Sequence, residues 1–284
     1  MENGPNEDEP PPIDRGDDPE VKEAQPKVRQ LFRDAKRRPK KATYYKRQIQ
    51  VLLEGDYFPW IVSDALKILV EKGDLTSFEM KSKYQEKIIF YHDGSFTTEP
   101  EKNRIRSRAK RICSLIDKMS NPNLTKALGD QLEGLVKAEL RAQRFEITGT
   151  NTNTYQGKTW TESGHDLDFI AEHDSGRLTV GVEVKNTLDI VPKKELEIKL
   201  RMCKFLEITP VFAVRWNTPY LNDVYKAGGY TWTFKTQIYP PGNVELTKEL
   251  FKRLGLPVIV RTELPPKPVR LFHNWVEVRT RKRD

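Results

Sequence analysis

Between Gly164 and Asn186 two short apolar runs flank an Asp174-Ser175-Gly176 turn signal, and this hairpin constrains the fold more than any other stretch of the chain. Asp168 to Ala171 opens the first predicted strand, and Leu178 to Lys185 forms the second. Side chains two apart in a strand share a face, so Glu183 and Lys185 point one way and Val182 and Val184 the other. The antiparallel return then sets Asp168 opposite Glu183. Two carboxylates and a lysine meet in a sheet that is otherwise apolar, where like charges repel and each loses hydration. A divalent cation removes the conflict. Mg2+ takes oxygen ligands in octahedral geometry and keeps some of its waters, so Asp168, Glu183 and the backbone carbonyl of Val184 are the expected ligands. Such a metal polarises a phosphate and lowers the pKa of its bound water. Lys185 is expected to orient that water or to stabilise charge on the phosphorane, its own pKa falling modestly. Asp166, two residues before Asp168, is expected on the same strand face, so either aspartate can be the main ligand. His165 reads as a surface hydrogen-bonder.

The flanking sequence extends this hairpin into an α/β pattern. A helix is predicted from Leu124 to Gln143, burying Leu132, Leu135, Val136 and Leu140, then a strand from Phe145 to Thr148. After the hairpin come a helix from Lys193 to Leu206, an apolar strand from Val211 to Arg215 and a strand pair within Gly228 to Tyr239. A helix from Glu245 to Leu254, a last strand from Val258 to Arg261, and a proline-rich connection to a flexible basic end, Arg279 to Arg283, complete it. Glu197-Ile198-Lys199 repeats the E-x-K spacing inside a helix, where it reads as a solvated ion pair.

Asp168-Phe169-Ile170-Ala171 and Glu183-Val184-Lys185, with Gly129-Asp130-Gln131-Leu132-Glu133 on the preceding helix, resemble the PD-(D/E)XK nuclease superfamily over about residues 123–216. That family places an acid before two apolar residues, then E-x-K at the end of the next strand, and often a helical G-x-x-x-E. The resemblance implies a restriction-endonuclease-like mixed sheet flanked by helices. It also implies an Mg2+-dependent endonuclease acting on DNA, with Mn2+ able to substitute. Glu133, Asp168, Glu183 and Lys185 take the catalytic positions, and Glu133 reaches the metal through water. Glu139, further along the helix, is a weaker candidate for the third carboxylate. By analogy with such nucleases, a homodimer is expected, each site taking one strand.

Upstream, residues 1–25 hold nine acidic and two basic residues and a run of three prolines, which reads as a disordered tail. Since the whole chain is +8, the rest carries +15, an excess that attracts polyanions by counterion release. Residues 26–100 are expected to form a small winged-helix-like α+β domain. Its signals are helices around Thr43 to Leu53 and from Pro59 to Gly73, an assumed short helix between them, and a ribbon of Leu75 to Lys83 and Glu86 to Tyr91. That unit resembles winged helix-turn-helix domains over residues 42–95, and a protein-docking module is the alternative. Residues 101–122 read as a basic connecting helix and 123–284 as the nuclease-like domain with its extension. Arg37, Arg38, Lys40, Lys41, Lys46, Arg104 and Arg108 are the candidate nucleic-acid contacts. Cys113 and Cys203 lie far apart, each within a helical pattern, so neither a disulfide framework nor a zinc cluster is supported and buried thiols are expected. No apolar run is long enough to span a bilayer and no secretory pattern opens the chain, so a cytoplasmic protein without a membrane partner is expected. The second function class is a non-catalytic DNA-binding protein that keeps the nuclease fold as a scaffold.

Overall fold

The computed structural model describes residues 18–33, 43–216 and 219–281. The chain divides into two compact units, Met1–Thr125 with Lys248–Leu256, and Lys126–Thr247 with Pro257–Asp284. The C-terminal stretch expected to be one domain is therefore interrupted. Lys248–Leu256 returns to the first unit, where Gln48 Nε2 donates to Leu254 O at 2.9 Å and Leu250, Leu254 and Leu256 are buried.

In the first unit, helix α1 (Pro19–Phe32) starts behind Asp18, whose side chain accepts from Glu20 N at 2.9 Å. Pro19 sits in the first turn, where the missing N–H has no helical partner to lose. Val21, Ala24, Val28 and Phe32 form one buried stripe. The expected tail through Gln25 is thus corrected from Pro19 onward. The stripe crosses the change from acidic to basic composition, and composition alone concealed it.

Tyr44–Tyr45 is strand β1 rather than a helix start, and α2 (Lys46–Leu52) and α3 (Pro59–Glu71) follow. The short helix assumed between them is absent; the helix that packs with α2 and α3 is α1, placed ahead of both in the chain. Gly73, at φ +74°, ends the turn after α3 in the left-handed region open to glycine. Strands β2 (Leu75–Met80) and β3 (Ile88–Asp93) pair antiparallel, and β1 completes a sheet of order β1-β3-β2. The three helices and this sheet share a core of Val28, Ile49, Val62, Leu66, Leu69, Leu75 and Tyr91. Helix α4 (Glu99–Met119) begins with a Thr98–Glu101 capping box and buries Ile105, Ala109, Ile112 and Ile116 within the same unit.

The second unit is built from α5 (Pro122–Ala142), β4 (Phe145–Thr152), a small ribbon of β5 (Thr154–Tyr155) and β6 (Lys158–Thr159), β7 (Leu167–His173) and β8 (Thr179–Lys185). It continues through α6 (Lys193–Leu206), β9 (Thr209–Val214), α7 (Asn222–Lys226), β10 (Tyr230–Thr233) and β11 (Gln237–Tyr239); α8 (Val244–Leu254) begins here and passes into the first unit from Lys248, and β12 (Val258–Val260) and α9 (Pro266–Thr280) close the second. Five strands form one mixed sheet in the order β10-β9-β8-β7-β4. The β7–β8 hairpin and β4 are antiparallel, whereas β9 and β10 run parallel to β8. The expected strand pair near Gly228–Tyr239 does not form: β10 pairs with β9, and β11 pairs with β12 in a separate parallel ribbon.

Helices cover both faces of the sheet. On one, Leu132, Val136 and Leu140 of α5 and Phe272 and Val276 of α9 pack on Phe169, Val182, Val184 and Trp232. On the other, Met202, Cys203 and Leu206 of α6 pack on Leu167 and Ile170. The architecture is α/β, a mixed sheet flanked by helices. Helix α9 replaces the expected proline-rich connection. Pro265 and Pro266 stand at the cap and first turn, where proline is compatible with a helix, and the Phe272 ring stacks on Trp232 at 4.2 Å. Both cysteines are buried, and among the described residues no helix is long and apolar enough to cross a membrane.

Candidate functional site

The β7–β8 ladder ends at this edge with Phe169 opposite Val182, and one step further along the same register sets Asp168 beside Glu183. Val182 and Val184 are buried on the α5 side of the sheet. Glu183 therefore projects to the α6 side, where it is almost completely buried at 1% exposure. Asp168 Oδ2 accepts the Val184 N–H at 2.6 Å, a side-chain contact bridging the two strands where the hairpin ladder ends.

Burial, then the charge of Glu183, lifts the Asp168 carboxyl from its ordinary 3.8 to about 7; Glu133 adds to the rise, and the Val184 hydrogen bond and Lys199 oppose it. Of the two helical candidates, Glu133 thus acts on Asp168. Its Oε2 also stands 3.2 Å from Lys137 Nζ, one turn along α5. Glu139 instead accepts from Gln143 Nε2 at 2.9 Å.

Lys185 Nζ lies 3.1 Å from Glu183 Oε1 and 2.8 Å from Glu195 Oε1. Burial works to lower its pKa, but these two carboxylates outweigh burial and hold the ammonium above its ordinary value. The expected modest fall is corrected, because Glu195 on α6 supplies a second anion that the hairpin sequence did not reveal. Lys185 remains a cation at any neutral pH.

Lys199 is the larger surprise. Read from sequence as half of a solvated pair, it is 5% exposed, with Nζ 2.6 Å from Glu183 Oε2 and donating to Asp166 O. Glu183 Oε2 makes no directed hydrogen bond, so its contact with Lys199 is an ion pair. The signal was present in the sequence: Leu196, Lys199, Cys203 and Leu206 share one helical stripe, and that stripe faces the core. Asp166 precedes β7 with its side chain exposed, and only its carbonyl enters the cluster; His165 Nδ1 pairs with Ser163 Oγ at 3.1 Å.

Asn186 anchors the end of β8. Its Nδ2 donates to Leu128 O at 2.7 Å and Ile238 O at 2.6 Å, and its Oδ1 accepts from Ile238 N at 2.8 Å. Gln237 Nε2 adds a bond to Asn186 O at 2.9 Å. Beyond it, buried Arg215 donates to Thr187 O and Leu188 O, fixing the loop that leaves the site.

What the site can hold follows from its donors. Among the described residues, no three His, Cys, Asp or Glu side chains converge as a ready metal cage. The donor chemistry nonetheless fits a hard divalent cation. Asp168 and Glu183 are oxygen donors on adjacent strands, and burial and then the charge of Glu183 hold the Asp168 carboxyl above its ordinary range.

The candidate nucleic-acid contacts occupy different environments. Arg37, Arg38, Lys40 and Lys41 lie outside the described residues. Lys46 is half-buried at the start of α2, and Arg104 is exposed on α4. Arg108 is directed inward, donating to Arg253 O at 3.2 Å, with burial lowering its pKa, so it is withdrawn as a free phosphate contact. Comparison with known proteins finds no family model and no curated protein that matches this chain.

Proposed function

We propose that the chain is a metal-dependent endodeoxyribonuclease of restriction-endonuclease-like fold, with Asp168, Glu183, Lys185 and Glu133 as its active centre. The observation that carries this reading is the meeting of Asp168 and Glu183 across the β7–β8 ladder, with Lys185 held charged beside them. Asp168 and Glu183 would hold Mg2+ or Mn2+, with Glu133 reaching it through water and Val184 offering its carbonyl. When bound, the cation would supply Lewis-acid polarisation of the phosphate and a more acidic water.

The chain's own residues supply the remaining parts. Lys185, kept cationic by Glu183 and Glu195, is unsuited to take a proton from water and suited to face an anionic phosphate oxygen as charge builds there. Asn186 ties the end of β8 to α5 and β11, so the carboxylate and ammonium are presented from a fixed strand end. In the first unit, the order helix, strand, helix, helix, strand, strand and the sheet order β1-β3-β2 support a winged-helix reading. Exposed Arg104 is its remaining described arginine contact for DNA, and a homodimer remains the arrangement expected by analogy.

The alternative, a non-catalytic DNA-binding scaffold, draws on the two lysines that already neutralise Glu183. Lys185→Ala separates the two readings. The nuclease reading predicts loss of Mg2+-dependent cleavage with DNA binding unchanged, and retained cleavage rejects the assignment.

A further inference from the structure

We propose that Lys199 is a positioning residue for the Glu183 carboxylate, an internal cation that keeps the carboxylate aimed into the cluster and competes with a divalent cation for it. The inference rests on the nuclease reading and adds to it a residue outside the Asp168, Glu183, Lys185 and Glu133 set.

Two observations and one physical argument support it. Lys199 occupies the centre of the apolar stripe of α6, between Leu196 and Cys203, where a leucine or methionine would pack without desolvating an ammonium. A buried ion pair generally contributes no more to stability than well-packed apolar residues of the same volume, so the fold alone gives no reason for a charge at this position. The ammonium is also committed to the site: among the described residues its polar contacts are Glu183 Oε2 at 2.6 Å and the carbonyl of Asp166, two residues before Asp168.

Glu183 is thus held from both sides, Oε1 by Lys185 and Oε2 by Lys199. Lys185 is partly exposed and shared with Glu195, whereas Lys199 is buried and, among the described residues, pairs with no carboxylate other than Glu183. Removing Lys199 has two opposed effects. It takes away a positive charge beside the metal position, which strengthens cation binding, and it leaves Glu183 held at Oε1 by Lys185 alone, with more freedom to leave its catalytic pose, which slows turnover. A lysine that served packing alone would weaken both together or move neither.

The test uses the full chain and Ca2+ as a binding probe, read by isothermal titration without turnover, alongside Mg2+-dependent cleavage. Lys199→Met is expected to bind Ca2+ about tenfold more tightly and to cleave about tenfold more slowly, with Lys199→Arg restoring both toward wild type. Unchanged or weakened Ca2+ binding in folded Lys199→Met overturns the proposal. Should Lys199→Met fail to fold, Glu183→Gln in the same chain is expected to restore folding, because the buried carboxylate that has lost its buried partner is then the cause; no restoration also overturns it. A wild-type chain that neither binds Ca2+ nor cleaves removes the nuclease reading itself and is distinguished from failure of Lys199 alone.

Discussion

Asp168→Asn should make the folded chain more stable at pH 8 while removing the proposed Mg2+-dependent cleavage. The carboxyl sits near 3.8 when solvated and at about 7 in the fold, raised first by burial and then by Glu183. A group with a raised folded pKa binds its proton more tightly in the fold. Below 3.8 both states are protonated and it contributes nothing; as pH rises toward 7 the unfolded chain releases its proton first, and the folded state loses stability. Roughly three pH units at about 1.4 kcal/mol each set a ceiling of about 4 kcal/mol above pH 7, and the residual exposure of the group lowers this to about 2–4 kcal/mol. Asparagine remains neutral, and its side-chain oxygen can still accept the Val184 N–H. Denaturant unfolding in EDTA, with wild type and variant compared at pH 4.5 and pH 8, reads the difference directly. The variant should gain about 2–4 kcal/mol at pH 8 and about 1 kcal/mol or less at pH 4.5. Equal stability at pH 8, or a gain that does not change with pH, would refute the reasoning.

Other perturbations test separate parts of the account. Asn186→Ala removes three hydrogen bonds to main-chain groups and should cost about 2–4 kcal/mol in denaturant unfolding, with a further loss of cleavage from the loosened strand end. Gly181→Ala would set a methyl group 2.8 Å from both Leu167 Cδ1 and Ile208 Cδ1 under α6, an overpacking expected to cost about 1–3 kcal/mol by thermal melting. Phe272→Ala empties the ring stacked on Trp232 and should cost about 3–5 kcal/mol, whereas a merely appended C-terminal helix would tolerate the change.

The hairpin was legible because its information is local. A two-residue period, a turn signal and the positions of Asp168, Glu183 and Lys185 are enough to fix their neighbours, and helix α6 was read from its own periodicity. Contacts that depend on distant chain segments were not legible. Glu195 meets Lys185, and Asn186 meets Leu128 and Ile238, only after α5, α6 and β11 have packed. Lys199 stood between: its place in an apolar stripe was visible, but habitual exposure of lysine argued for a solvated pair. Helix α1 was hidden by acidic composition and α9 by prolines, both weaker cues than the buried positions at Val21, Ala24, Val28, Phe272 and Val276. The pairing of β10 with β9 instead of β11 reflects a parallel crossover that sequence proximity does not predict.

The most direct measurement is cleavage by the wild-type chain of supercoiled plasmid, linear duplex, single-stranded DNA and a four-way junction, each with Mg2+ or EDTA. Scission of at least one substrate in Mg2+ and none in EDTA is the predicted result, with the preferred substrate naming the class of nuclease. Intact DNA under all conditions, with binding retained, would contradict the account.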